Sequence, residues 1–370
     1  MVPLNKEFKT LFNELTDLFA NVKTTVDNID AEGEKLDQKL LLEIENFRSR
    51  WNELTFALGN QDRLFSDEEK KVHRSYVFNS SLASLFIQAP YYEQIMTKPW
   101  GYAGDAEMME IIYRNQFEGK TPIGRFIHKH AVICKACQAV RNRRKLLRDL
   151  ILSKGRGDIM SMAAGPAREI RDVLAMNPVG DRYSFLALDH DINTVRMVRA
   201  GGHDRRLEYG LSNAFSIIKG RTDIAHPRKM FLDQCDPRAD LTGWKKLVSP
   251  VKYRFSKLEK GKYDLVYSAG LFDYIKTFDD NDERGAVKLT RQLFDLVKPG
   301  GSLVIGNFNE TIPMDIWFTM EFICDWQLIY RDDEQLLDFT RTIPEDQIDG
   351  EPWIETEDTG INSFLRVDKK

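Results

Sequence analysis

The sequence predicts an α/β fold in which a mostly parallel sheet carries helices on both faces, preceded by an all-helical N-terminal domain. From residue 158 onward, short apolar runs alternate with helical patterns, which is the order of a parallel sheet. The first of these runs ends in the small-residue turn AAGPA at 163–167, and a helical pattern follows at once. Residues 1–60 show only helical periodicity, so they are expected to form a separate layer.

Length and composition are those of an ordinary globular protein. A chain of 370 residues suffices for two domains, which we place at 1–154 (helical cap and substrate domain) and 155–370 (sheet domain). The net charge of −4 argues against a nucleic acid as the main partner. No apolar run reaches the ~18 residues of a membrane span, and the N-terminus lacks the apolar region of a signal peptide. We therefore expect a cytoplasmic protein.

Two amphipathic helices are predicted before residue 60, with an interruption at 29–33. The apolar residues recur at spacings of three and four, the period of one helix face: Leu4, Phe8, Leu11, Phe12, Leu15, Leu18, Phe19 and Val22, then Leu36, Leu40, Leu41, Ile44, Phe47, Trp51 and Leu54. Such a hairpin is either a cap on the sheet domain or a homodimer interface, and we favour the cap.

The rest of the helical domain contains one shaped loop and one long basic helix. A capping box at Ser66 and Glu69 predicts a helix start. Proline and two glycines shape the loop KPWGYAGD at 98–105. A helix is predicted from about Ile123 to Leu152, with its run of arginines on a solvated face.

The chain has four cysteines, too few for a disulfide framework. Two of them, Cys134 and Cys137, have C-x-x-C spacing inside the predicted basic helix. There is no second C-x-x-C, so metal or redox chemistry is disfavoured. We predict ordinary buried or half-buried thiols, because free cysteine is among the most buried residue types.

The elements of the sheet domain follow in regular order. Strands are predicted at 159–164, 184–189, 207–210, 263–268 and 302–308, helices at 166–176, 192–200 and 283–297, a charged insertion at 219–262, a helical pattern near 314–324, and two further strands at 352–357 and 362–367. Pro166 suits the first position of its helix.

The turn at 163–167 is the strongest candidate for a ligand site. Small residues let backbone N–H groups and a helix N-terminus approach a ligand closely, and an alanine costs little there if its φ is negative. Asp189 ends the second strand, 24 residues after Gly165, where an acid can accept hydrogen bonds from two ribose hydroxyls. Asp191 is a weaker candidate for the same role.

Together with the turn KPGG at 298–301, this order resembles the class I S-adenosyl-L-methionine (SAM)-dependent methyltransferases, whose sheet is Rossmann-like. Ser161 stands where that family often has an acid, and Ala163, Gly165 and Ala167 where it often has glycines. The resemblance implies SAM as cofactor and S-adenosylhomocysteine as product. It implies cofactor contacts at Ala163, Ala164, Gly165, Pro166, Asp189, Asp191, Asn213, Ala214, Phe215, Ser268, Ala269 and Gly270.

Four segments, at 98–105, 163–170, 268–274 and 325–331, narrow the resemblance to the bacterial extracellular-factor (3-hydroxypalmitic acid methyl ester biosynthesis) family, over about residues 90–368. That family label implies O-methylation of a fatty or small organic acid to a carboxyl methyl ester. The small-molecule acid would then lie among Trp100, Tyr102, Phe272, Tyr274 and Arg331.

A carboxylate acceptor is already ionised at neutral pH and needs no general base, only an anchor that orients it. The candidate catalytic groups are Tyr102, Asp273, Tyr274 and Arg331, with Arg331 matching carboxylate geometry.

Other acceptors and other classes of protein remain open. A phenol, alcohol or amine acceptor would want a base, and Asp273, His128 and His130 are available. The absence of the G-x-G-x-x-G motif argues against an NAD-dependent oxidoreductase. A further alternative is a non-catalytic relative of the methyltransferases. His128 and His130 have no evident third ligand beside them, so no metal site is expected.

Overall fold

The computed structural model describes residues 3–176, 182–202, 204–227, 253–278 and 284–370. The chain divides into two compact units. One, the helical unit, combines Met1–Arg141 with Thr311–Gln327. The other, the sheet unit, combines Asn142–Glu310 with Leu328–Lys370. The helical unit thus includes residues 311–327, from the C-terminal part of the chain, which no sequence pattern indicated.

The helical unit contains seven complete helices before residue 135 among its described residues. They are α1 (Lys6–Asp27), α2 (Gly33–Asp62), α3 (Asp67–Phe78), α4 (Ser81–Phe86), α5 (Pro90–Thr97), α6 (Ala106–Arg114) and α7 (Pro122–Val132). Helix α8 (Lys135–Ser153) begins in this unit and continues into the sheet unit. The predicted hairpin corresponds to α1 and α2, and the capping box at Ser66 starts α3 as predicted.

The segment at 311–327 belongs to the core of the helical unit. It forms α13 (Met314–Phe318) and a π-helical turn (Thr319–Ile323). The rings of Phe318 and Phe322 lie 6.4 and 5.8 Å from the ring of Phe8 in α1. A Cβ added at Gly59 of α2 would lie 2.6 Å from Met314 Cγ, so only glycine permits this close approach.

The prediction of a single helix from Ile123 to Leu152 is wrong, because the helix is interrupted at Ile133 and Cys134. Helix α7 closes with bonds from the N–H of Ile133 to the Lys129 carbonyl (3.2 Å) and from that of Cys134 to the Ala131 carbonyl (3.1 Å). The N–H of Gln138 then donates to the Cys134 carbonyl at 2.9 Å and opens α8. Neither proline nor glycine marks the break, so residue type could not reveal it.

The sheet unit has nine described strands in the order β5-β4-β3-β2-β1-β6-β7-β9-β8. They are β1 (Gly157–Met162), β2 (Tyr183–Asp189), β3 (Leu207–Leu211), β4 (Asp223–Pro227), β5 (Tyr253–Lys257), β6 (Tyr263–Ala269), β7 (Val297–Phe308), β8 (Trp353–Thr356) and β9 (Asn362–Asp368). The five strands from β3 to β7 in this order are parallel. At one edge, β4 and β5 pair antiparallel, and at the other β9 runs antiparallel between β7 and β8.

Helices cover both faces of this sheet. The described helices are α9 (Arg168–Met176), α10 (Ile192–Ala200), α11 (Ala214–Ile218), α12 (Gly285–Leu296) and α14 (Asp333–Leu337). Along β2, Phe185 and Ala187 join a cluster with α9 and α10, whereas Leu186 and Leu188 join another with α11 and α12. This alternation follows the two-residue period of a strand. The predicted α/β fold, with a Rossmann-like sheet and helices on both faces, is confirmed. The predicted insertion at 219–262 contains β4 and β5, and its residues 228–252 lie outside the described ranges.

The strand order places a crevice beside β1. From β1 the chain moves outward through β2 and β3, and it later returns on the other side of β1 as β6. In open α/β sheets, ligands bind beyond the carboxyl ends of the strands at such a switch point. The loops that follow β1 and β6 therefore form the candidate site.

Candidate functional site

The turn after β1 holds three residues in the left-handed region. Ala163, Gly165 and Ala167 have φ values of 55°, 51° and 48°. The condition under which alanine costs little here, a negative φ, is therefore not met. The turn keeps the conformation of a glycine-rich loop and places alanine in two of its strained positions. Each such alanine costs about 1 kcal/mol. Hydrogen bonds hold the turn, from the N–H of Ala164 to the Leu188 carbonyl and from that of Ala167 to the Ala164 carbonyl, both 2.9 Å.

Pro166 lies inside this turn and not at the first helical position, where it was predicted. Helix α9 begins two residues later, at Arg168. The left-handed Ala167 intervenes and delays the helix. The turn is consequently longer than the sequence indicated.

Gly165 faces open space. A Cβ built on this glycine would meet no heavy atom within 4 Å. Its N–H donates to Asp189 Oδ2 at 3.0 Å, and its carbonyl accepts a hydrogen bond from the Tyr209 hydroxyl. Gly165 and Asp189, which the sequence pairs at a distance of 24 residues, are therefore in direct contact beside an open surface.

The Asp189 carboxylate is anchored by backbone. Only 5% of the residue is exposed. Its Oδ1 accepts from the N–H of Asp191 at 3.0 Å and lies 3.3 Å from His190 Nδ1. The hydrogen bond to Asp189 raises the pKa of His190. A carboxylate offers about four lone-pair positions, so acceptor capacity remains for a further donor.

Asp191 and Asn213 cap the helices that follow β2 and β3. The Asp191 carboxylate accepts from the N–H of Asn193, and the Asn213 side-chain oxygen accepts from the N–H of Phe215, each at 2.8 Å. These oxygens satisfy helix N-termini and so have local structural roles. Ala214 is buried, whereas Phe215 is 58% exposed and offers a ring to solvent.

The loop after β6 closes over a buried arginine. Ser268 is buried, and its hydroxyl donates to the Met162 carbonyl at 3.0 Å. Ala269 ends β6 and is half-buried. Gly270 has a φ of 95°, and a Cβ there would lie 2.8 Å from Arg143 Nη1. Glycine at 270 thus admits the Arg143 guanidinium to this loop.

Arg143 is a site residue that sequence reasoning missed, because the basic run at 141–148 was assigned to a solvated face. It is only 7% exposed. Its charge lowers the pKa values of Glu169 and Asp273, which burial raises. One signal could have found it: Arg143 shares the helix face of Val140 and Leu147, at spacings of three and four.

A buried pair joins β6 to α9, the helix that follows the turn. The Tyr267 hydroxyl on β6 donates to Glu169 Oε1 on α9 at 2.7 Å. Burial raises the pKa of Glu169, and burial together with the neighbouring Glu169 raises that of Tyr267. This hydrogen bond ties α9 to the sheet.

Asp273 and Arg331 were predicted as acceptor-side groups, but both are buried within the protein. Asp273 Oδ1 accepts from the N–H of Phe308 at 2.7 Å, and burial raises its pKa to about 6. Arg331 donates through Nη1 to the Phe272 carbonyl and Asn307 Oδ1, and through Nη2 to the Ile275 carbonyl, at 2.5–2.8 Å. With only 3% exposure, this guanidinium fastens the loop after β6, and the geometry does not support a role as substrate anchor.

The remaining acceptor-side candidates have different environments. Phe272 is buried in the core, and Tyr274 is 44% exposed on the same loop. Trp100 and Tyr102 lie in the helical unit between α5 and α6, half-buried. The substrate roles of Tyr274, Trp100 and Tyr102 stay predictions.

The two candidate histidine bases are inside the helical unit. His128 and His130 are buried, and burial lowers their pKa values to about 4 and about 3.

The described residues hold no group of three or more His, Cys, Asp or Glu side chains arranged for a metal. None of the described helices has the length and apolar content of a membrane span. The cytoplasmic location and the homodimer stay predictions.

No family model matches the chain, and no curated protein matches it. Among solved structures, it is similar to a possible exported protein from Bordetella parapertussis (14% identity, 80% of this chain and 96% of that chain, TM-score 0.48). It is also similar to an O-methyltransferase family protein from Burkholderia thailandensis (14%, 79% and 77%, TM-score 0.38). A third is the N-methyltransferase NodS from Bradyrhizobium japonicum, in complex with S-adenosylhomocysteine (11%, 62% and 87%, TM-score 0.37). At this identity and overlap, the likenesses say nothing of this chain's substrate.

Proposed function

We propose that this chain is a SAM-dependent methyltransferase that binds its cofactor in the sheet unit, beside the turn at 163–167. The observation that carries the proposal is the contact of Gly165 with Asp189 at the switch point of the sheet, next to open space. A backbone turn without bulky side chains and an acid at the end of β2 are the two features that an adenosyl ligand requires.

The residues present fit this cofactor. The space beside Gly165 admits a ligand, and Asp189 retains acceptor capacity for a ribose hydroxyl. The exposed Phe215 ring can pack on an adenine, and the Arg143 charge near Gly270 can attract a carboxylate. When bound, SAM supplies an electrophilic methyl group on a sulfonium.

The acceptor that this site suits best is a carboxylate of a fatty or small organic acid, giving a methyl ester. The three candidate bases, Asp273, His128 and His130, are all buried, which disfavours a reaction that begins by taking a proton from the acceptor. An ionised carboxylate needs no such step. The protein then contributes by orienting the acceptor and excluding water, which can supply a large part of the rate enhancement of a displacement.

The cofactor assignment is tested by calorimetric titration with S-adenosylhomocysteine and with NAD. We expect S-adenosylhomocysteine to bind and NAD not to bind. Asp189→Asn should weaken binding about 10–100-fold, because a hydrogen bond to a charged group contributes about 1.5–3 kcal/mol. The matched control is Asp172→Asn on α9, which removes an ion pair with Arg144 of α8. Equal binding by both variants and the parent would contradict the proposal, as would binding of NAD alone.

The acceptor class is tested with SAM and a panel comprising decanoate, decanol, decylamine and a para-alkyl phenol. Mass spectrometry should find a methyl ester from decanoate and no methylated product from the others. Between about pH 6 and pH 8 the rate should change little, since the carboxylate is ionised throughout this range. Methylation of the phenol, alcohol or amine, with a rate that rises with pH, would favour the alternative acceptor class.

A further inference from the structure

The C-x-x-C pair lies at the break between α7 and α8. Cys134 directly precedes α8, and Cys137 lies within its first turn. The two residues are exposed to different degrees: Cys134 is half-buried, whereas Cys137 is 2% exposed. This asymmetry separates an outer thiol from an inner one.

The surroundings of the two sulfurs differ in charge as well. The thiols are hydrogen-bonded to each other, and the Cys137 sulfur lies 3.6 Å from the Tyr91 hydroxyl oxygen. The hydrogen bond from Cys137 and the backbone N–H groups of Cys137 and Ala136 lower the pKa of Cys134 to about 7. The same thiol pair and burial raise the pKa of Cys137. A thiolate at the start of a helix is also favoured by the helix dipole.

Cys134 also lines a cavity within the helical unit. This cavity has a volume of about 480 Å³, and its walls are mainly apolar, with Trp51, Tyr91 and Met320 among them. A small neutral molecule that enters the cavity therefore reaches Cys134. Cys324 contrasts with Cys134: it is buried, and burial raises its pKa.

We propose that Cys134 and Cys137 form a reversible disulfide, with Cys134 as the thiol that reacts first and Cys137 as the resolving thiol. The oxidant is a hydroperoxide. The Cys134 sulfur attacks the terminal peroxide oxygen, the O–O bond breaks, and a sulfenic acid and water (or an alcohol) result. The Cys137 sulfur then attacks the sulfenic sulfur, an S–S bond forms, and a second water leaves. Two thiols are oxidised, one peroxide is reduced, and a dithiol reverses the change.

The geometry is compatible with this bond. Residues i and i+3 at a helix start have Cα atoms about 5 Å apart, within the range of about 4.4–6.8 Å that a disulfide spans. Redox-sensitive cysteines characteristically combine a lowered pKa, access for the oxidant and a neighbouring resolving thiol. The site lies within the helical unit and does not depend on the cofactor site proposed above.

Two measurements on the full-length protein test the proposal. In the reduced protein at about pH 7, iodoacetamide should alkylate Cys134 about tenfold faster than Cys324. The reason is that about half of the Cys134 thiol, with its pKa of about 7, is ionised at this pH, whereas burial raises the pKa of Cys324. After treatment with hydrogen peroxide, tryptic digestion should yield the peptides HAVICK and ACQAVR joined by a disulfide. Trypsin separates the two cysteines because Lys135 lies between them. Dithiothreitol should release both peptides.

Variants separate the two roles. Cys137→Ala removes a hydrogen bond that lowers the pKa of Cys134, so alkylation of Cys134 should be slower in this variant than in the parent. The variant should form no disulfide at this site, so peroxide should leave a sulfenic acid on Cys134 that dimedone traps. Cys324→Ala is the matched control and should oxidise as the parent does. Alkylation of Cys134 no faster than that of Cys324 would overturn the proposal. The proposal would also be overturned if peroxide treatment of the parent protein left the two peptides unlinked or linked Cys134 to Cys324. This second test uses the parent protein alone and does not depend on the folding of any variant.

Discussion

Asp273 and Arg331 hold the loop after β6 against the edge of β7. The carboxylate accepts the N–H of Phe308, and the guanidinium binds carbonyls on both sides of Asp273. Burial lowers the pKa of Arg331 to about 10 and raises that of Asp273 to about 6. Both residues therefore belong to the support of the site and affect stability before they affect substrate binding.

Asp273→Asn should make stability less dependent on pH. The pKa of Asp273 is higher in the folded protein, about 6, than its ordinary value of 3.8. The folded state therefore binds more protons between these values, and the stability that this carboxyl contributes is lost as pH rises from about 4 to about 6. Asparagine keeps an acceptor for Phe308 without the charge. Urea titrations at several pH values should show a shallower decline for the variant; parallel curves would contradict the assignment.

Arg331→Met should destabilise the protein by about 3–5 kcal/mol, because it leaves three buried acceptors without their donor, at about 1–3 kcal/mol each. These acceptors are the Phe272 and Ile275 carbonyls and Asn307 Oδ1. The matched control is Arg254→Met, which removes an exposed ion pair with Glu208 and should cost about 0–1 kcal/mol. The free energy of unfolding in urea gives both values. If Arg331 instead anchored the substrate, the variant would raise KM and leave unfolding unchanged.

At the scale of elements, the turn after β1 keeps a left-handed backbone in spite of its alanines. Sheet register and the hydrogen bonds of Gly165 impose this conformation, and the local sequence opposes it. Strained backbone at a ligand loop is usual, because the surrounding structure overrides local preference.

Ala163→Gly should stabilise the protein by about 0.5–1 kcal/mol, since glycine adopts a φ of 55° without the alanine's strain. The matched control is Ala20→Gly, at an exposed position in the middle of α1, where the same change should cost about 0.5–1 kcal/mol. Chemical denaturation measures both changes. A loss of stability in both variants would mean that Ala163 is not strained.

At the scale of the whole molecule, the helical unit depends on two distant parts of the chain. Helices α1 and α2 bury Phe8 and Gly59 against residues 311–327, which follow the last parallel strand, β7. The chain therefore leaves the helical unit, builds most of the sheet unit, and returns.

Deleting residues 1–62 should disrupt this unit and not merely remove a cap. The deletion uncovers the fully buried rings of Phe318 and Phe322, and each apolar side chain of this size loses about 1.5–3 kcal/mol of burial. We expect aggregation on size-exclusion chromatography and strong binding of an apolar dye. Deletion of residues 1–4, which precede the Asn5 cap of α1, should change neither. A monomeric, cooperatively melting product of the longer deletion would contradict this dependence.

Local patterns in the sequence predicted much of the molecule, including the alternating strands and helices, the α1–α2 hairpin, the capping box at Ser66, and the proximity of Gly165 and Asp189. These features follow from hydrophobic period, capping and chain order, which neighbouring residues determine. The cofactor is tested by the calorimetric titration proposed above, and the acceptor by the mass spectrometry of the substrate panel.

Tertiary structure alone decided where charged side chains are buried and how the backbone bends. Arg331 is buried because distant segments supply its hydrogen-bond acceptors, and the alanines of the turn are left-handed because the sheet holds them so. The return of residues 311–327 to the helical unit depends on Gly59, more than 250 positions earlier in the chain. A single sequence carries no local trace of such contacts, since their free energy arises only when separated segments meet.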